Sequence, residues 1–113
     1  MKCINKTNGK TLAQNVEIRA SFLGRLIGLL GKKGLKEGCA IVLKPCTQIH
    51  TFFMLFAIDA IFISRDFEVL LVIENMKPWR VSPFLMKAVY TLEAAGGTLK
   101  DKVKTGDKIT FEN

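Results

Sequence analysis

The feature that most constrains the fold is an apolar stretch, Ile49–Ser64, which carries one carboxylate, Asp59, near its middle. Its second half, FAIDAIFIS, is apolar at both alternating sets of positions, which is typical of a strand covered on both faces. The segment that follows, FEVLLVIENM, has Glu68 and Glu74 at the positions that alternate with Val69. We predict an antiparallel hairpin, turned at SRD, whose first strand is central in its sheet.

Other segments also have the pattern of strands. TLAQNVEIRA follows the turn signal TNGK, and we predict that it pairs with the first segment of the chain as a hairpin. CAIVLKP reads as a strand that ends at Pro45, and KAVYTLE and KITFE read as two more. KPWRVSPF has two prolines and is predicted to be a loop.

Two segments favour helix. In SFLGRLIGLLG, Ser21 can cap a helix and Gly31 can end it, so we predict a short amphipathic helix over residues 22–30. Basic residues flank it, which leaves open a helix on a membrane surface. Near the other terminus, Thr98 and Asp101 resemble a capping box and predict a helical turn. The apolar face of the first helix comprises Phe22, Leu23, Leu26, Ile27 and Leu30.

These elements predict a mainly β fold: an antiparallel barrel or sandwich of five to seven short strands, with one helix near the N-terminus and a helical turn near the C-terminus. The length of 113 residues predicts a single domain, residues 1–113. With 49% hydrophobic and 24% charged residues, the composition is that of an ordinary globular protein.

Cysteine usage and charge limit the possible partners. The cysteines are an odd number, form no C-x-x-C pair and follow no secretory leader, so we expect reduced thiols and a cytoplasmic protein. The apolar run Thr51–Ile63 is shorter than the ~20 residues of a membrane-spanning helix. A net charge of +7 without an aromatic-basic ladder predicts a solvated basic surface rather than specific nucleic-acid binding.

Three phrases in order, GLLGKKGLKEG, PCTQIHTFFMLFAIDAIFI, and KPWR with TLEAAGGTLKDKVKTGDKI, closely resemble the bacterial and archaeal family called domain of unknown function 192. The resemblance covers residues 20–111 and implies a compact, β-rich, jelly-roll-like domain without an established activity. Members usually carry glycine in the turn after the Asp, where this chain has Phe67 and Glu68. The family motifs fall on His50, Thr51, Phe53, Met54, Ile58, Asp59, Pro78, Trp79, Arg80, Leu92, Glu93, Gly97, Gly106 and Asp107.

Asp59 is the residue whose surroundings demand an explanation. A carboxylate in an apolar strand needs a cation or several hydrogen-bond donors, because burying it alone costs several kcal/mol. We predict an ion pair with Arg80, shielded by Trp79, with Arg25 as the second candidate. Two interpretations stay open: a structural ion pair beside a satisfied His50, and a polar pocket for a ligand.

We therefore predict a binding domain, with a small ligand held at one end of the β fold by His50, Thr51, Asp59, Trp79 and Arg80. The alternative is an interaction or assembly module, monomeric or weakly dimeric, that uses Trp79, Phe84 and the helix of residues 22–30. Zinc at Cys39, Cys46 and His50 is disfavoured because the spacing matches no zinc template. A Cys46–His50 enzyme lacks a third orienting residue, and no cofactor motif is found.

Overall fold

A computed structural model of the chain describes residues 1–20 and 35–113. Eight strands are found in these residues. They are β1 (Lys2–Asn5), β2 (Thr11–Ala13), β3 (Asn15–Arg19), β4 (Cys39–Leu43), β5 (Ile58–Ser64), β6 (Val69–Met76), β7 (Ala88–Ala95) and β8 (Ile109–Glu112).

The strands form two separate sheets, one of three strands in the order β2-β1-β8 and one of five in the order β3-β4-β7-β5-β6. β5 pairs antiparallel with β6 and with β7, so the predicted hairpin and the central position of its first strand are confirmed. β1 and β2 form the predicted N-terminal hairpin. The chain is thus mainly β, but its two sheets do not close into a barrel.

The predicted fold class is wrong in its helical elements. No helix occurs in residues 1–20 and 35–113, and so none there is long and apolar enough to cross a membrane. The predicted helix of residues 22–30 lies outside the described residues. The predicted helical turn at Thr98 is a series of turns, because Asp101 has a positive φ of 63°, a left-handed conformation that does not fit a right-handed helix.

The segment TLAQNVEIRA also differs from the prediction. It forms two strands in different sheets, because β2 pairs with β1 whereas β3 pairs with β4. The amides of Gln14 and Asn15, at the break, both donate to the carbonyl of Gly38, at 2.8 and 3.0 Å. The β3–β4 pair is parallel, so the large sheet is not wholly antiparallel as predicted.

β5 lies between two apolar cores, as its sequence predicts. Ile61 and Ile63 belong to the inner core between the sheets, whereas Ala60 and Phe62 belong to the outer core on the other face of the large sheet. The outer core also contains three buried residues of the connection between β4 and β5: Cys46, Ile49 and Met54. Irregular chain therefore covers the outer face of the large sheet.

Candidate functional site

Two connections cover the outer face together: residues 44–57 between β4 and β5, and residues 77–87 between β6 and β7. We call them the loop pair. Main-chain hydrogen bonds join them, with the amides of Leu85, Ser82 and Thr51 donating at 2.8, 2.9 and 2.8 Å to the carbonyls of Thr47, Ile49 and Arg80 respectively. Parts of the chain that are distant in sequence thus lie side by side without forming a strand.

Thr51 is the centre of the loop pair. Its side chain is fully buried, and its hydroxyl donates to the Lys77 carbonyl at 2.6 Å and accepts from the Arg80 amide at 2.9 Å. The Thr51 carbonyl accepts from the amide of Trp79 at 2.9 Å. A single threonine therefore fixes the main chain of the Pro-Trp-Arg segment.

Aromatic rings gather beside this network. The Trp79 ring lies 4.7 Å from that of Phe53 and 5.8 Å from that of Phe52, and His50 stacks on Phe52 at 4.8 Å. The His50 side chain is exposed, and its Nδ1 accepts from the Phe52 amide at 3.3 Å. Phe53 and Trp79 both have a φ of 65°, a left-handed conformation that is strained for bulky residues.

Arg80 lies at the edge of an open groove with a volume of about 420 Å³. Its Nη1 donates to the carbonyls of Pro78 and Trp79, at 3.4 Å in both cases. Two cations, Arg80 and Lys77, and one carboxylate, Glu74, line the groove. The remaining lining residues are Ile73, Asn75, Met76, Val81, Ser82 and Pro83.

The predicted ion pair between Asp59 and Arg80 is wrong. The fully buried carboxylate instead accepts from three main-chain amides, those of Asn75 at 2.7 Å, Gly97 at 2.8 Å and Leu99 at 2.9 Å. Main-chain donors can satisfy a buried carboxylate as a cation does. Arg25, the second candidate, lies outside the described residues.

The structure brings together four of the five predicted site residues: His50, Thr51, Trp79 and Arg80. Asp59 has no hydrogen bond to any of these four among the described residues, and it reaches the groove only through the Asn75 amide. Of the residues assigned to the alternative assembly surface, Trp79 and Phe84 are exposed, and neither lines the groove.

Sequence reasoning missed Ser82 as a structural residue of the site. Its buried hydroxyl accepts from the Ile49 amide at 2.9 Å and donates to the Pro83 carbonyl at 3.0 Å. The Gln48 side chain donates to the Ser82 carbonyl at 3.0 Å. A serine between valine and proline in a loop is a weak signal, and nothing in the sequence indicates its partners.

Buried polar groups also connect β1 to the segment that precedes β8. The Asn5 side chain donates to the Asp107 carboxylate at 2.7 Å and to the Lys102 carbonyl at 3.0 Å. The side chains of Asn5 and Asp107 are both buried. The same carboxylate accepts from the Lys104 amide at 2.9 Å. The Gly-Asp motif thus ties the approach to β8 onto β1, which is a structural role.

The cysteines show different environments. All three are free thiols, and burial raises the pKa of Cys3 from 9.0 to about 12. Cys46 is buried, and its thiol lies 3.4 Å from the Gln48 carbonyl. In the described part of the chain, no group of three or more His, Cys, Asp or Glu side chains is arranged to hold a metal ion.

Solved structures share this fold. A protein of unknown function from Novosphingobium aromaticivorans has a TM-score of 0.82 at 19% identity, covering 98% of this chain and 84% of that chain. A candidate transcription regulator from Sinorhizobium meliloti has a TM-score of 0.77 at 22% identity, covering 96% and 89%. At these identities the likeness extends to the fold alone.

Sequence comparisons agree with the expected family. A UPF0127 protein of Pyrococcus horikoshii is 36% identical, covering 96% of each chain. A UPF0127 protein of Thermococcus sibiricus is 32% identical over 96% of this chain and 73% of the relative. The DUF192 family model, described as "Uncharacterized ACR", matches residues 3–111. The chain therefore belongs to the DUF192 family.

Proposed function

We propose that the protein is a binding domain that holds a small ligand with a carboxylate or phosphate group in the groove beside Arg80. The observation that carries this proposal is the anchoring of the Arg80 main chain. Buried Thr51 bonds the Arg80 amide through its hydroxyl at 2.9 Å and the Arg80 carbonyl through its own amide at 2.8 Å. A cation on a fixed main chain loses less conformational freedom when a ligand binds.

The donors of Arg80 suit an anion. The guanidinium has five N–H groups in a planar fork that matches a carboxylate or a phosphate. Its two hydrogen bonds to main-chain carbonyls both use Nη1 and are long, at 3.4 Å. Lys77 supplies a second positive charge on the groove wall. A ligand anion that replaced these weak contacts would gain charge-assisted hydrogen bonds.

The other predicted residues contribute indirectly to this site. Asp59 fixes the amide of Asn75, a wall residue with a positive φ of 52°. His50 and Trp79 flank the Arg80 segment through the loop pair. Glu74 also lines the groove, and its charge disfavours ligands with two negative charges. The fitting ligand class is a monoanion or a zwitterion with an apolar body.

A thermal-shift screen followed by calorimetry tests this function. The probes are small carboxylates, phosphate diesters and amino acids, since any ligand of the folded state raises its stability. We expect a hit whose binding is lost in Arg80→Ala and kept in Arg65→Ala, which removes an exposed cation from the β5–β6 turn. The proposal fails if no probe raises the unfolding temperature or if Arg80→Ala binds the hit as tightly as the original chain.

A further inference from the structure

The loop pair carries an unusual number of exposed apolar side chains. Nine large hydrophobic side chains are exposed in the described residues, and six of them lie in the loop pair. The six are 55% to 82% exposed, whereas the other three, Met1, Ile18 and Phe67, are 37% to 44% exposed. We call the six the outer patch. They are Phe53, Leu55, Trp79, Val81, Phe84 and Met86.

The outer patch lies on a layer whose other side is already buried. Cys46, Ile49, Met54 and Leu85 of the loop pair pack into the outer core against the large sheet. The exposed side chains therefore face away from the sheet. Because folding does not require their exposure, a cluster of this kind marks an interaction surface.

The charged residues of the loop pair itself all have one sign. Residues 77–87 contain Lys77, Arg80 and Lys87 and no Asp or Glu. Residues 44–57 also contain no Asp or Glu, and their Lys44 lies over the Tyr90 ring at 5.3 Å. A partner of this surface must therefore be apolar in part and negatively charged in part.

Two of the five described non-glycine residues with positive φ lie in the same patch. Phe53 and Trp79 both have a φ of 65° and pack on each other at 4.7 Å. A left-handed main chain is strained for a bulky residue, and such outliers gather at functional sites. Two strained aromatic residues, both more than half exposed, form the contact at one end of the patch.

We infer that the outer patch docks the protein onto the surface of an anionic lipid bilayer. Aromatic and aliphatic side chains enter the boundary between headgroups and acyl chains, and neighbouring cations contact lipid phosphates. Tryptophan is enriched at that boundary because its ring is apolar and its N–H is polar. The protein would lie on the membrane and would not span it.

Other partners fit the patch less well. A second copy that docked through the same patch would bring together two sets of loop-pair cations, and the loop pair contains no carboxylate to balance them. Single-stranded nucleic acid stacks on aromatic rings, but half of the patch, Leu55, Val81 and Met86, is not aromatic. A small ligand in the groove contacts only Val81 of the six residues. A bilayer accommodates all of them at once.

Trp79 makes the test direct because it is the only tryptophan of the chain. The full chain is mixed with vesicles of phosphatidylcholine alone or of equal parts phosphatidylcholine and phosphatidylglycerol. We expect flotation with the anionic vesicles, a blue shift of Trp79 emission, and quenching by lipids brominated in the upper acyl chain. Neutral vesicles should bind weakly, and added salt should reduce binding to the anionic ones.

A double variant, Phe84→Ser with Met86→Ser, should lower partitioning about a hundredfold, because each buried apolar side chain adds roughly a factor of ten. Ile18→Ser, on β3, is the matched control and should bind as the original chain does. Circular dichroism checks that both variants fold. Neither Phe84 nor Met86 lines the groove, so ligand binding beside Arg80 should persist in the double variant.

Several results would overturn the inference: equal partitioning of the double variant, equal binding to neutral and anionic vesicles, or no flotation. A single-stranded oligonucleotide that shifts Trp79 emission at about 0.15 M salt, while vesicles do not, would assign the patch to nucleic acid. Light scattering that shows a patch-dependent dimer without vesicle binding would assign it to a second copy.

Discussion

Two fully buried polar side chains, Asp59 and Thr51, have similar bonds and different consequences. Asp59 accepts from the amides of residues 75, 97 and 99 and closes one end of the inner core. Thr51 bonds the main chain of residues 77, 79 and 80, beneath the exposed rings of the loop pair. The role of a buried polar residue near a site therefore depends on which segments it anchors and not on its charge.

The largest expected effect is at Asp59. Asp59→Ala leaves three main-chain amides without their acceptor, the Leu99 amide among them being buried, so we expect a loss of about 4 kcal/mol in the free energy of unfolding. Urea denaturation measures it. Asp66→Ala removes a carboxylate from the exposed β5–β6 turn and should change stability by less than about 0.5 kcal/mol. A loss below about 1 kcal/mol for Asp59→Ala would show that the carboxylate does not hold these turns.

The same experiment separates the observed anchor from the predicted ion pair. If Asp59 and Arg80 do not interact, the losses in Asp59→Ala and Arg80→Leu should add to within about 0.5 kcal/mol in the double variant. A paired arginine would instead be left buried and unbalanced, and its removal would recover stability. Coupling above about 1 kcal/mol would contradict the anchoring described here.

Thr51→Val should cost less, about 2 kcal/mol, because one hydroxyl with two main-chain partners is removed while its shape is kept. Thr51→Ser retains the hydroxyl and is the control. Amide hydrogen exchange adds a local measurement, since Arg80 loses its acceptor and should exchange faster in the valine variant. Unchanged exchange at Arg80 would remove Thr51 as the anchor of the loop pair.

Cys3, a buried residue of the inner core, leads to a prediction about how stability depends on pH. Burial raises the pKa of its thiol to about 12, so above pH 9.0 the unfolded chain ionises first and binds fewer protons than the folded chain. Stability should therefore fall between about pH 9 and 12, by up to about 1.4 kcal/mol per pH unit from this group. The slope difference between the original chain and Cys3→Ala isolates it. Equal slopes would contradict a buried, protonated thiol.

The sequence predicts which segments of this molecule form strands better than it predicts how those strands pair. The β5–β6 hairpin follows from alternation, because both faces of β5 are buried in apolar cores. No local sequence pattern predicts the parallel pairing of β3 with β4, because residues 20–38 separate the two strands. The predicted helical turn at Thr98 is wrong because Asp101 has a left-handed main chain, with a φ of 63°, which the sequence does not indicate.

At the candidate site, too, the sequence indicates the important residues but not their partners. Asp59 and Thr51 are recognisable as polar residues in apolar surroundings, and Pro-Trp-Arg is recognisable as a loop. Their partners are main-chain amides and carbonyls, which every residue has and no sequence pattern identifies. The sequence therefore suggests an arginine as the partner of Asp59, whereas three main-chain amides donate hydrogen bonds to its carboxylate.

The smallest expected effect on stability concerns the positive φ of Phe67. This residue lies in the β5–β6 turn, where the family resemblance leads us to expect glycine. Phe67 has a φ of 62°, and its amide donates to the Ser64 carbonyl at 3.0 Å. Its ring stacks on Tyr90 at 5.2 Å and contacts Phe111 at 6.1 Å, and these contacts offset the strain. Unlike Phe53 and Trp79, whose rings are mainly exposed, Phe67 uses its strained main chain to pack within the fold.

We therefore compare Phe67→Gly with Phe67→Ala, since both remove the ring but only glycine adopts positive φ without cost. The glycine variant should be more stable by about 1 kcal/mol in urea denaturation. The same pair of substitutions at Trp79 should show a similar difference, because its φ is 65°. Alanine variants as stable as glycine at both positions would mean that neither turn is strained. The strain at Phe53 and Trp79 would then no longer distinguish the outer patch from an ordinary loop.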